Sequence, residues 1–571
     1  MFRIAHFLAL PLLLLLAACQ APPAKTADLL LVNGHIYTVN EAQPWVKAVA
    51  IKDGKILALG EANELENYRD EQTEVIDLQG AFTMPGFIEG HGHFSGLGVS
   101  LMNLNFLNST SWDEIVAMVA AKAAATEEAE WIYGRGWHQE KWSSRPDNGV
   151  EDYPTHHELS EVTTANPVVL RHASGHSLFA NARAMEIAGV TAETPDPRGG
   201  RIVRDARGNP IGVFEEKAMA LIMDAYNAYR DGLSPEARYE EWLEGIGKAQ
   251  QECLAKGITS FQDAGSTFQE IDWYQQLAEA GELDLRLWAM ARHGYQTLVE
   301  GLDSQFPIID AGDHFFTCRA IKTEVDGALG AFGAWLLEPY DDKPGFTGQN
   351  TTLVETVDSI AGLALQKGMQ LCIHAIGDRA NREVLDLCER RFAGIDNGDQ
   401  LRWRMEHAQH LHPDDIPRFS ELGIIASMQG IHCTSDAPFV VKRLGEQRAR
   451  EGAYAWRSLL DAGAVVTNGT DAPVEDVDPI ASYYATVTRH RAGTELVFFP
   501  EQALSREEAV YSYTMAPAYA AFEEDQKGSL EPGKFADIVV LSKDLVNCTD
   551  EEILDTDVLL TIVNGEVKYR Q

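Results

Sequence analysis

Cysteine is scarce and scattered in this chain, with seven among 571 residues and no C-x-x-C pair. That spacing excludes a zinc ribbon and a disulfide-stapled scaffold, and the six cysteines after Cys19 are expected to be free thiols. Basic residues are few too: 47 Lys and Arg stand against 86 Asp and Glu, a net charge of −39. Such a surface repels polyanions, so nucleic acid is excluded as a partner. Long apolar runs are nearly absent. Phe7 to Leu16 is the exception, and its ten residues are too few to span a bilayer as a permanent helix. What is abundant is ordinary globular material, 45% hydrophobic and 23% charged, which excludes disorder as the main theme.

The short apolar run follows Arg3 and ends in Leu16-Ala17-Ala18-Cys19, the layout of a secretory signal. Small residues before a cysteine resemble a bacterial lipobox, in which the chain is cut before the Cys and the Cys is lipidated. Residues 1–18 are then a lipoprotein signal peptide and residues 19–27 a Pro/Ala tether. Gln20 in place of Asp favours the outer membrane by resemblance to the sorting rule. The expected address is therefore the periplasmic face of a Gram-negative outer membrane. An ordinary signal peptide cut near Ala18, giving a soluble periplasmic protein, is the alternative.

Short apolar runs punctuated by Asn33-Gly34, Asp53-Gly54 and Gln79-Gly80 mark residues 28–84 as strands and turns. Residues 521–571 repeat this texture, with Asp537 to Leu541 and Val558 to Val563 around Asn564-Gly565. Two strand-rich ends predict one small β-domain built from both termini. Between them, over residues 85–520, helix and strand alternate. Five helix-like segments close on Gly257, Gly281, Gly368, Gly423 and Gly463, each followed at once by an apolar strand. Adding strands near Thr83–Ile88, Arg319–Val325 and Arg402–Met405 gives eight, the number for a closed α/β barrel; an open doubly wound sheet is the alternative. Residues from about 110 to 245 break the alternation and are read as an insertion at the catalytic rim that shapes the substrate pocket.

The strand ends carry the chemistry. His91 and His93, two apart on an extended segment, point the same way and can reach one metal. His374, His407 and Asp471 end three further strands. Singly each has a bland account as a core histidine or a helix cap. Together they converge on one point above a barrel mouth. In the insertion, Trp137 is expected to wall the pocket and His176 to face substrate. Cys372 is expected in the core, and His432 and Asp436 near the mouth.

The segments P-G-F-I-E-G-H-G-H at Pro85, V-D-G-A-L-G at Val325, I-H-A-I-G-D at Ile373, E-H-A-Q at Glu406 and T-N-G-T-D-A-P at Thr467, in that order, resemble the amidohydrolase superfamily. More narrowly they resemble its branch of YtcJ-like proteins and N-substituted formamide deformylases. The resemblance implies a (β/α)8 TIM-like barrel with an inserted subdomain and a β-sandwich made from both chain ends. It implies that His91 and His93 bind one metal and His374 and His407 a second. It further implies that Lys322, as a carbamate, bridges the two and that Asp471 touches the first metal and handles the proton of the attacking water. Zn²⁺, one ion or two, is the expected cofactor. Two departures stand out, Glu89 where Asp is common and Glu324 where an apolar residue is expected. Lys322 salt-bridged to Glu324, or Glu324 itself as the bridge, are the competing readings of that strand. The expected activity is metal-dependent hydrolysis of a C–N bond in a small amide or formamide. The alternatives are an ester or cyclic-amide hydrolase, or a ligand-binding lipoprotein without catalysis. Homo-oligomerisation stays open.

Overall fold

The computed structural model describes residues 26–106, 109–139, 142–143, 149–151, 153–172, 177–330 and 332–571. The signal segment with Cys19, and His176, lie outside these residues. The centre is a parallel barrel whose strands we number β1 (Phe87–Gly92), β2 (Ile258–Ser266), β3 (Arg286–Ala291), β4 (Phe316–Glu324), β5 (Gln370–Ala375), β6 (Arg404–His407), β7 (Ile425–Ser427) and β8 (Val466–Thr467). They pair in this order, each parallel to the next. The seam between β8 and β1 is bridged where the Gly90 N–H donates to Asn468 O at 3.1 Å and the Asp471 N–H to His91 O at 2.8 Å. All five glycines expected to end helices have positive φ, between 64° and 85°. Five strands thus start where the left-handed C′ position predicts.

The expected first strand near Thr83–Ile88 is in fact two. Phe82–Pro85 pairs with Ile538–Leu541 and His35–Tyr37, while β1 begins at Phe87. Gly86 is the joint, because a Cβ there would lie 2.2 Å from Cγ2 of Thr259 on β2. Both chain ends build the flanking sheets. Leu29–Val32, Ala48–Lys52, Lys55–Gly60 and Glu74–Asp77 form one, and three strands from each end form the other. Leu31, Ile36, Val49, Ile538 and Ile562 fill the space between the two. Arg286 at the foot of β3 clamps this unit to the barrel. It donates to Asp537 at 2.8 and 3.2 Å and to Asn564 at 3.2 Å, with Phe535 under its guanidinium at 3.7 Å.

Between β1 and β2 lies a separate six-stranded sheet running from Leu104–Asn105 to Pro210–Glu216, with apolar clusters around Trp112 and Val213 and around Leu178 and Phe214. The expected insertion of 110–245 is therefore misplaced at both ends. Helix Pro235–Ala255 buries Ile246, Ala249, Cys253 and Leu254 in the main core and belongs to the barrel. The six described cysteines are free, and Cys372 packs inside the barrel beside Trp288 and Ala320.

Candidate metal centre

Each expected ligand stands at the C-terminal end of its strand. His91 and Lys322 lie in β1 and β4, His374 and His407 in β5 and β6, and His93 caps the helix after β1. His407 and Asp471 have φ of 74° and 57°, a conformation that costs a non-glycine residue about 1–3 kcal/mol and is concentrated at functional sites. His91, His407 and Asp471 bring one ligand atom apiece to within 4.8 Å of one another. Asp471 Oδ1 is 3.2 Å from His93 Nε2 and 3.6 Å from His91 Nε2. The His374 ring centroid is 4.5 Å from that of His407.

Burial sets the charge state of this cluster. It lowers His91 to about 4 and His374 to about 3, with the Lys322 ammonium pushing the same way, and holds His407 well below the usual imidazole range. Burial alone would raise Asp471, but the close approach of His93 and the surrounding imidazoles outweigh it and hold the carboxylate well below its usual range. Three neutral imidazoles and a carboxylate present lone pairs to one small space. Nε2 of His91, Nε2 of His374 and Oδ1 of Asp471 are buried without a hydrogen-bond partner among the described residues. Leaving such atoms unsatisfied costs about 1–3 kcal/mol each, and a divalent cation bound among them would satisfy them. The donor set, nitrogen and carboxylate oxygen, suits Zn²⁺.

Supporting contacts orient the ligands. Glu406 accepts from Nδ1 of His91 and is gripped by Arg404, whose Nε lies 2.7 Å from Glu406 Oε1. Arg404 also donates to Gly90 O at 2.7 Å and to Ser427 Oγ at 2.8 Å. Arg404 and Glu406 alternate on β6 and face the barrel interior, where burial's upward push on Glu406 is overcome by the Arg404 charge. The sequence reading missed both. The one available signal was the Glu-His pair in E-H-A-Q.

This cluster opens into a cleft of about 380 Å³, lined also by Lys322, Glu324, Arg292, His432, Asp436 and Phe439. Lys322 is buried, and burial lowers the pKa of its ammonium. It does not pair with Glu324, which instead binds Arg292 at 2.5 Å. Asp326 takes a different part. Its carboxylate accepts the backbone N–H groups of Trp335, Ile376 and Gly377 at 2.8 to 2.9 Å, fixing the loops after β4 and β5. Trp137 corrects an expectation. It is fully enclosed in the insertion core and donates its indole N–H to Leu170 O at 2.8 Å, so it does not wall this cleft.

Imidazoles and a carboxylate gathered over the mouth of a (β/α)8 barrel define a metal-dependent hydrolase. The sequence pattern of the amidohydrolase family matches residues 74–569, and the chain belongs to that family. It is 30% identical over 547 residues to the putative amidohydrolase YtcJ of Bacillus subtilis, covering 94% of this chain and 99% of that one. It is 28% identical over 554 residues to an N-substituted formamide deformylase of Arthrobacter pascens, covering 95% and 98%. An uncharacterized metal-dependent hydrolase from Pyrococcus horikoshii superposes with a TM-score of 0.73 at 26% identity, covering 92% of this chain and 99% of that one.

Proposed function

We propose that this protein uses Zn²⁺ to hydrolyse a C–N bond in a small amide or formamide. The observation that carries the reading is the buried cluster of His91, His407 and Asp471, with His93 and His374 beside it, opening on one polar cleft. Likeness to a formamide deformylase along nearly the whole chain supports the choice of bond. A cation held there would supply carbonyl polarisation and a more acidic water. The protein's own part is proton handling. The Asp471 carboxylate, ionised and within 3.6 Å of His91 and His93, takes a proton from the attacking water and returns it to the leaving nitrogen. We further propose that Lys322, as the neutral amine, adds carbon dioxide with loss of a proton to give a carbamate whose oxygens would help hold a second cation. In support, burial disfavours its ammonium and Arg292 already engages Glu324.

Chelation is expected to abolish turnover on an amide and formamide panel, and added Zn²⁺ to restore it. Asp471→Asn should lower kcat by about 10²- to 10⁴-fold while leaving most of the zinc in place. Turnover by metal-free protein would overturn the reading. Lys322→Ala should lose metal and recover in part with propionate, while Glu324→Gln keeps its metal.

A further inference from the structure

Two imidazoles stand nearly parallel at the cleft. The rings of His407 and His432 are 6.4 Å apart with planes 20° from one another. Each rests its Nδ1 on a glutamine, but on opposite ends of the amide. Gln429 presents Oε1 to His407 at 2.8 Å, its own Nε2 being committed to Ser427 O at 3.1 Å. Gln409 presents Nε2 to His432 at 3.1 Å. An amide oxygen accepts and an amide nitrogen donates. His407 therefore carries its proton on Nδ1 and keeps the Nε2 lone pair, as a metal ligand must. In His432 the assignment is reversed: Nδ1 accepts, and the proton sits on Nε2.

A protonated Nε2 has no lone pair for a cation. It is instead a hydrogen-bond donor, and a costly one to leave idle. His432 is 6% exposed, lines the cleft, and its Nε2 has no hydrogen-bond partner among the described residues. It rises from the first turn of helix Gly430–Leu444, directly after β7, and is as firmly placed as the ligands themselves.

We propose that His432 is a catalytic residue whose Nε2–H donates to the carbonyl oxygen of the scissile amide. As the water oxygen forms its bond to the carbonyl carbon, the C=O π pair moves onto that oxygen, and the His432 hydrogen bond strengthens without proton transfer. This rests on the amide-hydrolysis reading above and adds a transition-state contact that the metal cluster does not supply.

The test uses the full chain loaded with zinc, in three forms: wild type, His432→Ala and Gln409→Glu. Zinc content, kcat, KM and affinity for a phosphonamidate, a tetrahedral anionic mimic, are measured on each. His432→Ala should keep its zinc, lose about 10²- to 10³-fold in kcat with little change in KM, and bind the mimic far more weakly. Gln409→Glu replaces the donor by an acceptor and is read as a pH profile: at high pH, where His432 is neutral, the proton moves to Nδ1 and the donor at Nε2 is lost, whereas at low pH the imidazolium keeps both N–H groups. It should reproduce the kcat loss at high pH, and the double variant should there be no worse than either single change. Loss of zinc in His432→Ala would make His432 a ligand and overturn the assignment. So would an unchanged kcat or fully additive losses. If wild type turns over no amide, weakened mimic binding in His432→Ala sustains the donor while the amide reading fails, and equal mimic binding overturns the donor. A wild type that neither turns over nor binds the mimic overturns both.

Discussion

Glu406 serves two partners at once: it fixes the His91 ring through Nδ1 and neutralises Arg404 inside the barrel. Glu406→Gln removes the charge while keeping the shape. Zinc affinity is expected to fall by about 10- to 100-fold, as when other such supporting contacts are removed, because His91 loses its anchor. Stability should fall by about 3–5 kcal/mol, because Arg404 is left buried without its counter-charge. Competition against a chromogenic chelator and chemical unfolding check the two effects; unchanged zinc affinity would remove Glu406 from the site's design. Glu89 gives a pH signature. One of its oxygens accepts the Thr470 N–H at 2.6 Å and the other has no hydrogen-bond partner among the described residues. Burial raises its pKa to about 8 from an ordinary 4.5. The folded state then binds the extra proton between those values. The stabilisation is complete below pH 4.5 and is lost as pH rises toward 8, on the order of 5 kcal/mol in all. Metal-free wild type should lose melting temperature across that window relative to Glu89→Gln. Parallel curves would show that Glu89 is ionised throughout. At this scale the sequence offered candidate ligands and little of what supports them. Histidines at strand ends are visible in a string of letters, whereas the hold of Glu406 on His91 and of Arg404 on Gly90 O, and the two glutamine tautomer locks, join residues from different strands and loops.

Strands were legible wherever a helix closed on glycine before an apolar run, since both signals are local. The split at Gly86 was not. Phe82–Pro85 and β1 form one apolar run, and only the crowding against Thr259 and the pairing to Ile538–Leu541 divide it. The insertion misled for a related reason. Gly134-Arg135-Gly136-Trp137 reads as a loop, yet Ile132–Trp137 is an interior strand, parallel to Val168–His172 on one side and to Leu104–Asn105 on the other. Its terminal indole is buried among Trp142, Tyr153 and Phe179. Trp137→Ala is therefore expected to destabilise this sheet by about 3–5 kcal/mol through the cavity it leaves. Proteolysis should cut first within the insertion, while zinc content is retained. A Trp137→Ala protein of unchanged protease resistance and altered substrate preference would restore the pocket-wall role.

For the whole molecule a net charge of −39 bears on what could attach it to a membrane. No helix among the described residues is long and apolar enough to cross a membrane. Charge does not supply an anchor either, since an acidic body is repelled by anionic headgroups. Ala27 donates its N–H to Tyr68 O at 2.7 Å, and strand Leu29–Val32 is paired on both sides, with Ala48–Lys52 and with Glu74–Asp77. If Cys19 carries acyl chains, as we propose, the eight residues from Gln20 to Ala27 reach about 30 Å at most, which holds the barrel beside the bilayer. Apolar chains, unlike charge pairing, resist salt. In a Gram-negative host the wild type should stay with outer membranes through a 1 M salt wash and leave with detergent. Cys19→Ser should appear in the soluble fraction with the same zinc content and turnover, because the metal centre is built from barrel residues far along the chain from the tether. Equal membrane retention of the two forms would exclude lipidation at Cys19 as the anchor, and release of the wild type by salt alone would point to a peripheral protein partner.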